Sequence, residues 1–215
     1  MKTKIALFLF LILLPLPAFA MTADELAGKL QNSYDKTHDL RADFRQVSVV
    51  KSMNMTKEAS GTLLIKKPGM LRYSYDKPEK QEIIVKGDDL IMYLPSQNQV
   101  IKKTLSRELM DKTPTTFLGG LGKITDSFDP KIPATGEKDK HGRYVLELIP
   151  KGDKMGVEEI TLALDPKTFD MREFSFRETS GNVNTISLSD VKINKGVKDS
   201  AFNFKIPKGA SLISE

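Results

Sequence analysis

From Leu40 onward, apolar and polar residues alternate with a period of two, in short runs separated by turn residues. The runs cover residues 40–50, 59–67, 71–75, 81–86, 90–94 and 99–104, and then 144–149, 159–164, 171–178 and 183–193. No helix long enough for repeated parallel crossovers is predicted between them. The pattern predicts a large antiparallel sheet with few helices. Such a sheet has to curl or close, which gives it a concave face.

One helix is predicted before the first strand. Thr22 and Glu25 have the spacing of a capping box, and apolar residues then recur every four positions, at Leu26, Leu30 and Tyr34. The pattern ends near residue 38.

Residues 61–75 predict a hairpin that has an apolar face with one cation in it. We predict a three-residue loop at 68–70, because proline suits ordinary turns and not the primed turns of two-residue loops. The predicted cross-strand pairs are Lys67 with Leu71, Ile65 with Tyr73 and Leu63 with Tyr75. The opposite face then carries Thr62, Lys66, Arg72 and Ser74. On the apolar face, Lys67 needs a partner or a route to water.

Residues 113–124 interrupt the strands and predict a short amphipathic helix, with Thr113 as its N-cap and Pro114 at its first position. Its apolar face carries Phe117, Leu118, Leu121 and Ile124. Three glycines weaken the helix, each by about 1 kcal/mol relative to alanine. The pattern fits a movable lid and fits a loose connecting helix equally well.

The first twenty residues are typical of a signal peptide. Lys2 and Lys4 precede an apolar run over residues 5–16, and Ala18-Phe19-Ala20 resembles a cleavage site. We therefore expect an exported mature chain of a single domain, residues 21–215, beginning at Met21. The sequence has no cysteine, so neither a lipidated N-terminus nor a disulfide is available to it.

The net charge and the potentially reactive side chains give little support for an enzyme. The formal net charge is +5, or +3 without Lys2 and Lys4, and the basic residues are scattered and not clustered as in nucleic-acid-binding proteins. The two histidines, His38 and His141, have no acidic or nucleophilic neighbours in sequence. We expect no catalytic residues, no metal and no cofactor.

Several segments, in this order, resemble the outer-membrane lipoprotein carrier (LolA) family. After the signal peptide and one helix come L-R-A-D-F-R-Q at 40–46, G-T-L-L-I-K-K-P-G-M-L-R-Y at 61–73, G-D-D-L-I-M-Y-L-P at 87–95 and T-P-T-T-F-L-G-G at 113–120. A closing Phe202-x-Phe204 segment completes the resemblance, which spans the mature chain.

The resemblance implies an incomplete, half-open antiparallel barrel, lined with apolar side chains and covered by a lid of helices. It also implies a monomeric periplasmic chaperone that binds acylated lipoproteins. Such a carrier receives them from the lipoprotein-releasing ABC transporter of the inner membrane and delivers them to the outer-membrane receptor LolB or an equivalent. No nucleic acid is involved.

The resemblance also implies roles for individual residues. Lys67 takes the place of the family's usual arginine, which latches the lid by hydrogen bonds to lid backbone. The side chains expected to line the lipid cavity are Phe44, Leu63, Ile65, Leu71, Tyr73 and Met92 on the sheet, with Phe117 and Leu118 on the lid. Each of them fits a plain hydrophobic core as well. A second function that suits the same half-barrel is a periplasmic lipid-binding sensor or regulator.

Overall fold

A computed structural model describes residues 21–105, 123–152 and 156–214. The described residues form one twelve-stranded sheet, three short 3-10 helices and two α-helices, α1 (Ala23–Asp35) and α2 (Ile124–Ser127). The strands are β1 (Asp39–Val50), β2 (Met55–Lys66), β3 (Met70–Lys77), β4 (Gln81–Lys86), β5 (Asp89–Leu94), β6 (Gln99–Thr104), β7 (Phe128–Lys131), β8 (Tyr144–Pro150), β9 (Val157–Leu164), β10 (Met171–Glu178), β11 (Val183–Ile193) and β12 (Ser211–Ser214). The predicted mainly β fold is confirmed.

The sheet is open and curved, with β12 and β7 as its two edges. The strand order is β12-β6-β5-β4-β3-β2-β1-β11-β10-β9-β8-β7, so most neighbours in space are also neighbours in sequence. Ten strands occupy the predicted runs. Two strands, β7 and β12, were not predicted, and β12 lies parallel to β6, which corrects the expectation of a purely antiparallel sheet.

The predicted register of the hairpin between β2 and β3 is wrong by two residues. Ile65 pairs with Leu71 and Leu63 with Tyr73, while Gly61 pairs with Tyr75. The backbone N–H of Lys67 donates to the carbonyl oxygen of His38 at 2.9 Å and therefore leaves the hairpin ladder. The loop consists of residues 67–69, where Gly69 adopts φ +66° and the Lys67–Pro68 peptide bond is cis. Because the shift is even, each side chain stays on its predicted face.

Helix α1 begins as the sequence predicts. The backbone N–H of Glu25 donates to the Thr22 hydroxyl oxygen at 3.2 Å, and the Glu25 carboxylate accepts from the Thr22 backbone N–H at 2.9 Å. Leu26 and Leu30 are buried against one face of the sheet, which we call the inner face. The helix ends at Asp35, three residues before the predicted end.

The C-terminal segment covers part of the opposite, outer face of the sheet. Arg72 on β3 donates to the Glu82 carboxylate at 2.9 Å and to the Ala201 carbonyl oxygen at 2.7 Å. Lys66 on β2 forms an ion pair with Asp199 at 2.5 Å. Phe202 is buried. The predicted polar face of the hairpin therefore holds this segment before β12 joins the sheet.

Two sequence predictions fall on other parts of the chain. The signal peptide, residues 1–20, lies outside the described residues. The predicted lid helix also lies outside them, apart from Lys123 and Ile124 at its end. Ile124 is buried and begins α2, and its backbone N–H donates to the Gln31 side chain of α1 at 2.9 Å.

Candidate functional site

The inner face of the sheet brings together five of the eight predicted cavity residues. Their side chains belong to one buried hydrophobic cluster that includes Leu26 and Leu30 of α1. The five residues are Phe44 on β1, Leu63 and Ile65 on β2, and Leu71 and Tyr73 on β3. The alternation of β2 and β3 puts Leu63, Ile65, Leu71 and Tyr73 on the face that α1 covers.

The other three predicted residues differ. Met92 on β5 lies on the same face, because it pairs with Ile83, which in turn pairs with Tyr73. It is only partly buried and is not a member of the buried cluster. Phe117 and Leu118 lie outside the described residues.

An aromatic group lies on the inner face beside Leu63. The ring of Phe44 meets Tyr73 edge-on at a centroid distance of 5.2 Å and Tyr75 at 4.9 Å. The Tyr75 hydroxyl donates to the side-chain oxygen of Gln46 at 2.9 Å. Polar character on the inner face therefore increases from Leu71 toward Tyr75.

Lys67 binds helix α1 from one side. Its Nζ donates a hydrogen bond to the backbone carbonyl oxygen of Tyr34 and lies 3.3 Å from the centroid of the Tyr34 ring. Both contacts fall on the last turn of α1, where the Tyr34 carbonyl oxygen also accepts from the backbone N–H of Thr37 at 3.0 Å. The cation on the apolar face thus contacts a helix that covers the sheet.

A second contact holds α1 from the opposite side. The hydroxyl of Ser33 donates to the Asp170 carboxylate, just before β10, at 2.5 Å. Beyond the helix, the Asn194 side chain donates to the Lys36 carbonyl oxygen at 2.9 Å and accepts from the His38 backbone N–H at 2.7 Å. Helix α1 is therefore tied by polar groups along both sides of its C-terminal half.

A cavity of about 50 Å³ lies between this half of α1 and the sheet. Its walls are formed by Leu30, Ser33, Tyr34, Thr37, His38, Leu40, Ile65, Lys67, Asp170, Met171 and Ile193. A cavity of this size holds only a few water molecules, since each needs about 10–15 Å³ of such space. In this structure α1 is closed over the inner face.

The surroundings of Lys67 change the pKa of its amino group. Partial burial lowers the pKa of Lys67 from 10.5 to about 8, and the nearby Asp35 carboxylate opposes this effect. Between pH 8 and 10.5 the folded protein therefore binds fewer protons at this site than the unfolded chain. Stability that depends on Lys67 should rise with pH across this window.

We expect this rise to disappear in Lys67→Met, which keeps the length of the side chain but cannot titrate. The free energy of unfolding in urea is measured for both proteins from pH 7.5 to 9.5. The difference, wild type minus variant, should increase with pH. The range stays below the ordinary tyrosine pKa of about 10, and burial raises the pKa of Tyr34 and Tyr73, so these groups contribute little to the difference. Parallel curves over the whole range would contradict the assigned environment of Lys67.

Sequence reasoning missed the partners that close α1. Tyr34 was predicted as part of the apolar face of the helix, and its backbone carbonyl carries no sequence signal. Ser33 and Asp170 are 137 positions apart, so no local pattern joins them. Buried Asp39, which accepts backbone hydrogen bonds from Lys195 and Gly196, was missed for the same reason.

The described ranges contain neither a cluster of metal ligands nor a helix that could span a membrane. No group of three or more histidine, cysteine, aspartate or glutamate residues there is arranged to hold a metal ion. Helices in the same ranges are too short or too polar to cross a bilayer.

Fold and site together define an incomplete antiparallel barrel whose apolar inner face is covered by a helix. Solved structures with this fold include an uncharacterized conserved protein from Thermus thermophilus, at a TM-score of 0.58 and 13% identity, with 90% of this chain and 99% of that chain covered. MucB matches at a TM-score of 0.50 and 13% identity, with 85% and 62% covered. At these identities the likeness concerns the fold alone.

Sequence comparison identifies the family. The family model described as outer membrane lipoprotein carrier protein LolA matches residues 35–205. An outer-membrane lipoprotein carrier protein of Azotobacter vinelandii is 30% identical, with 95% of this chain and 97% of the relative covered. One of Methylobacillus flagellatus is 25% identical, with 86% and 87% covered. The chain belongs to the LolA family.

Proposed function

We propose that the protein is a periplasmic carrier that binds the acyl chains of lipoproteins against the inner face of its sheet. The observation that supports this most is the continuous apolar surface of β1, β2 and β3 under a helix that apolar packing and a few polar contacts hold in place. Lys67 brings a cation to the edge of this apolar surface, where a plain hydrophobic core rarely contains one.

The chemistry of the cargo explains why such a carrier is needed. Exposing acyl chains to water costs about 0.8 kcal/mol per methylene, so three chains of ordinary length cost on the order of 30 kcal/mol or more. Unassisted crossing of an aqueous compartment is negligible at this cost. A carrier must shield the chains and must also release them, which favours a cover of limited stability.

Binding requires α1 to move, because the cavity beneath it is far smaller than an acyl chain. The proposed chain-binding residues are Phe44, Leu63, Ile65, Leu71, Tyr73 and Met92, with Phe117 and Leu118 from the segment after β6. Opening would break the contacts of Lys67 and Ser33 and would uncover the apolar face of α1 that Leu26 and Leu30 form. Lys67 would then act as a latch, through the backbone of α1 in the closed state.

The proposed route begins after export. The signal peptide is removed and the mature carrier, a monomer from Met21 onward, receives lipoproteins from the lipoprotein-releasing ABC transporter of the inner membrane. It delivers them to the outer-membrane receptor, LolB or an equivalent. No step of this route requires catalysis by the carrier.

Release from a membrane tests the function. Spheroplasts of the protein's own host are incubated with the purified mature chain, and lipoproteins are followed in the soluble fraction. We expect them to appear there in complex with the protein. A parallel incubation in buffer alone controls for leakage.

The alternative function gives a different result. A lipid-binding sensor would take up phospholipid and release no lipoprotein from the spheroplasts. That outcome would overturn the carrier proposal.

A further inference from the structure

The hydroxyl of Tyr73 stands apart from the other groups on the inner face. The Tyr73 residue is 4% exposed, and its hydroxyl oxygen has no hydrogen-bond partner in the described part of the chain. Its neighbour Tyr75, on the same strand and face, donates to Gln46. Among these two stacked tyrosines, only Tyr73 buries a donor that remains unpaired.

An unpaired buried hydroxyl is unfavourable in the closed protein. Polar groups inside proteins are nearly always hydrogen-bonded, because desolvation otherwise has no compensation. A phenylalanine would give the same packing against Phe44 without this cost. The hydroxyl therefore calls for a partner in another state of the molecule.

The surroundings define the chemistry of that partner. Burial raises the pKa of Tyr73, so the group stays a neutral O–H at physiological pH and can donate one hydrogen bond. A charged partner would itself have to be desolvated among apolar side chains, at a far greater cost than a neutral one. A neutral carbonyl oxygen meets both conditions.

We propose that Tyr73 is a polar subsite, whose hydroxyl donates to the ester or amide carbonyl that joins an acyl chain to the rest of the cargo. This inference rests on the proposed function. It assigns Tyr73 a hydrogen bond in addition to apolar contact, and it makes the site selective for acyl chains over plain alkyl chains.

The layout of the inner face gives the bound chain a direction. On one side of Tyr73 lie Tyr75 and Gln46, which are hydrogen-bonded to each other. On the other side lie Leu71 and Ile65, which pair with each other beneath α1. The carbonyl end of the chain therefore lies at Tyr73, and the hydrocarbon extends toward Leu71.

Two lipids that differ only in their carbonyls test this subsite. Dipalmitoyl phosphatidylglycerol and its dihexadecyl ether analogue each displace a fluorescent fatty probe from the mature protein. For Tyr73→Phe we expect the ester lipid to bind about tenfold more weakly, which corresponds to about 1.4 kcal/mol. The affinity for the ether lipid should not change.

Two variants provide matched controls. Tyr93→Phe makes the same chemical change on the outer face, beside Phe204, and should leave both affinities unchanged. Tyr75→Phe removes a paired hydroxyl and should lower the melting temperature of the lipid-free protein. Tyr73→Phe should not lower it, because no hydrogen bond is lost.

Infrared spectroscopy gives a second readout. The carbonyl band of a ¹³C-carbonyl-labelled ester lipid should shift to lower frequency on binding to the wild type and shift less on binding to Tyr73→Phe. Equal ester affinities and equal bands in the two proteins would overturn the subsite and leave the carrier proposal standing. If the wild type binds neither lipid, the subsite proposal fails, and the release of lipoproteins from spheroplasts decides the carrier proposal separately.

Discussion

Gly61→Ala is expected to destabilise the protein by more than about 3 kcal/mol, although the change adds a single methyl group. A Cβ at this position would lie 1.9 Å from the backbone oxygen of Ser74 and 2.9 Å from the Cα of Tyr75. Both are backbone atoms of β3, so no side-chain rotation relieves the overlap. The ladder between β2 and β3 would have to shift at its irregular point beside Ser60.

The consequence reaches the inner face directly. Gly61 lies opposite Phe44 on β1 and opposite Tyr75 on β3. A displaced ladder would separate the rings of Phe44, Tyr73 and Tyr75, which pack against one another. We therefore expect weaker binding of acyl ligands together with the lower stability.

Urea denaturation measures the effect, and Gly28→Ala is the matched control. Gly28 is exposed within α1, and a Cβ there meets nothing within 4 Å. Alanine is favoured over glycine in helices by about 1 kcal/mol, so this variant should be slightly more stable than the wild type. A Gly61→Ala protein that unfolds within about 0.5 kcal/mol of the wild type would contradict the close approach of β2 and β3.

The hydrophobic pattern was sufficient to predict the faces of the sheet. Side chains alternate strictly in a strand, and the observed register differs from the predicted one by an even number of residues, so Leu63, Ile65, Leu71 and Tyr73 share one face as predicted. The exact pairing was wrong, because the backbone N–H of Lys67 bonds to His38. That contact joins distant parts of the chain and has no sequence signal.

The two missed strands show another limit of the pattern. β7 and β12 have four residues each, which is too short for alternation to stand out, and β7 contains Pro130. β12 exists because the C-terminal segment crosses the outer face and reaches the edge of β6. Its pairing depends on that path and not on its own residues.

The charge on the apolar face was predicted, but not the groups that surround it. The sequence shows that Lys67 needs a partner, and the structure supplies the carbonyl and the ring of Tyr34. A backbone carbonyl at a helix end is available in every helix, so only the packing of α1 selects this one.

An acyl chain bound to the inner face should contact the methyl groups on that side of the sheet and should not contact those on the outer side. Leu63 and Ile84 are both almost fully buried, at 0% and 1% exposure, but they face opposite ways. Leu63 lies under α1 in the inner cluster, whereas Ile84 on β4 pairs with Arg72 on the outer face. Burial is therefore matched, and only the face differs.

The most direct measurement is a set of intermolecular nuclear Overhauser effects between an unlabelled triacylated lipopeptide and the ¹³C-methyl-labelled protein. The lipopeptide's chain methylenes should give effects at the methyl groups of Leu63, Ile65 and Leu71. The methyl groups of Ile84 and Val100, on the outer face, should give none. A bound lipopeptide whose chains contact the outer-face methyls, and not those of the inner face, would contradict the account.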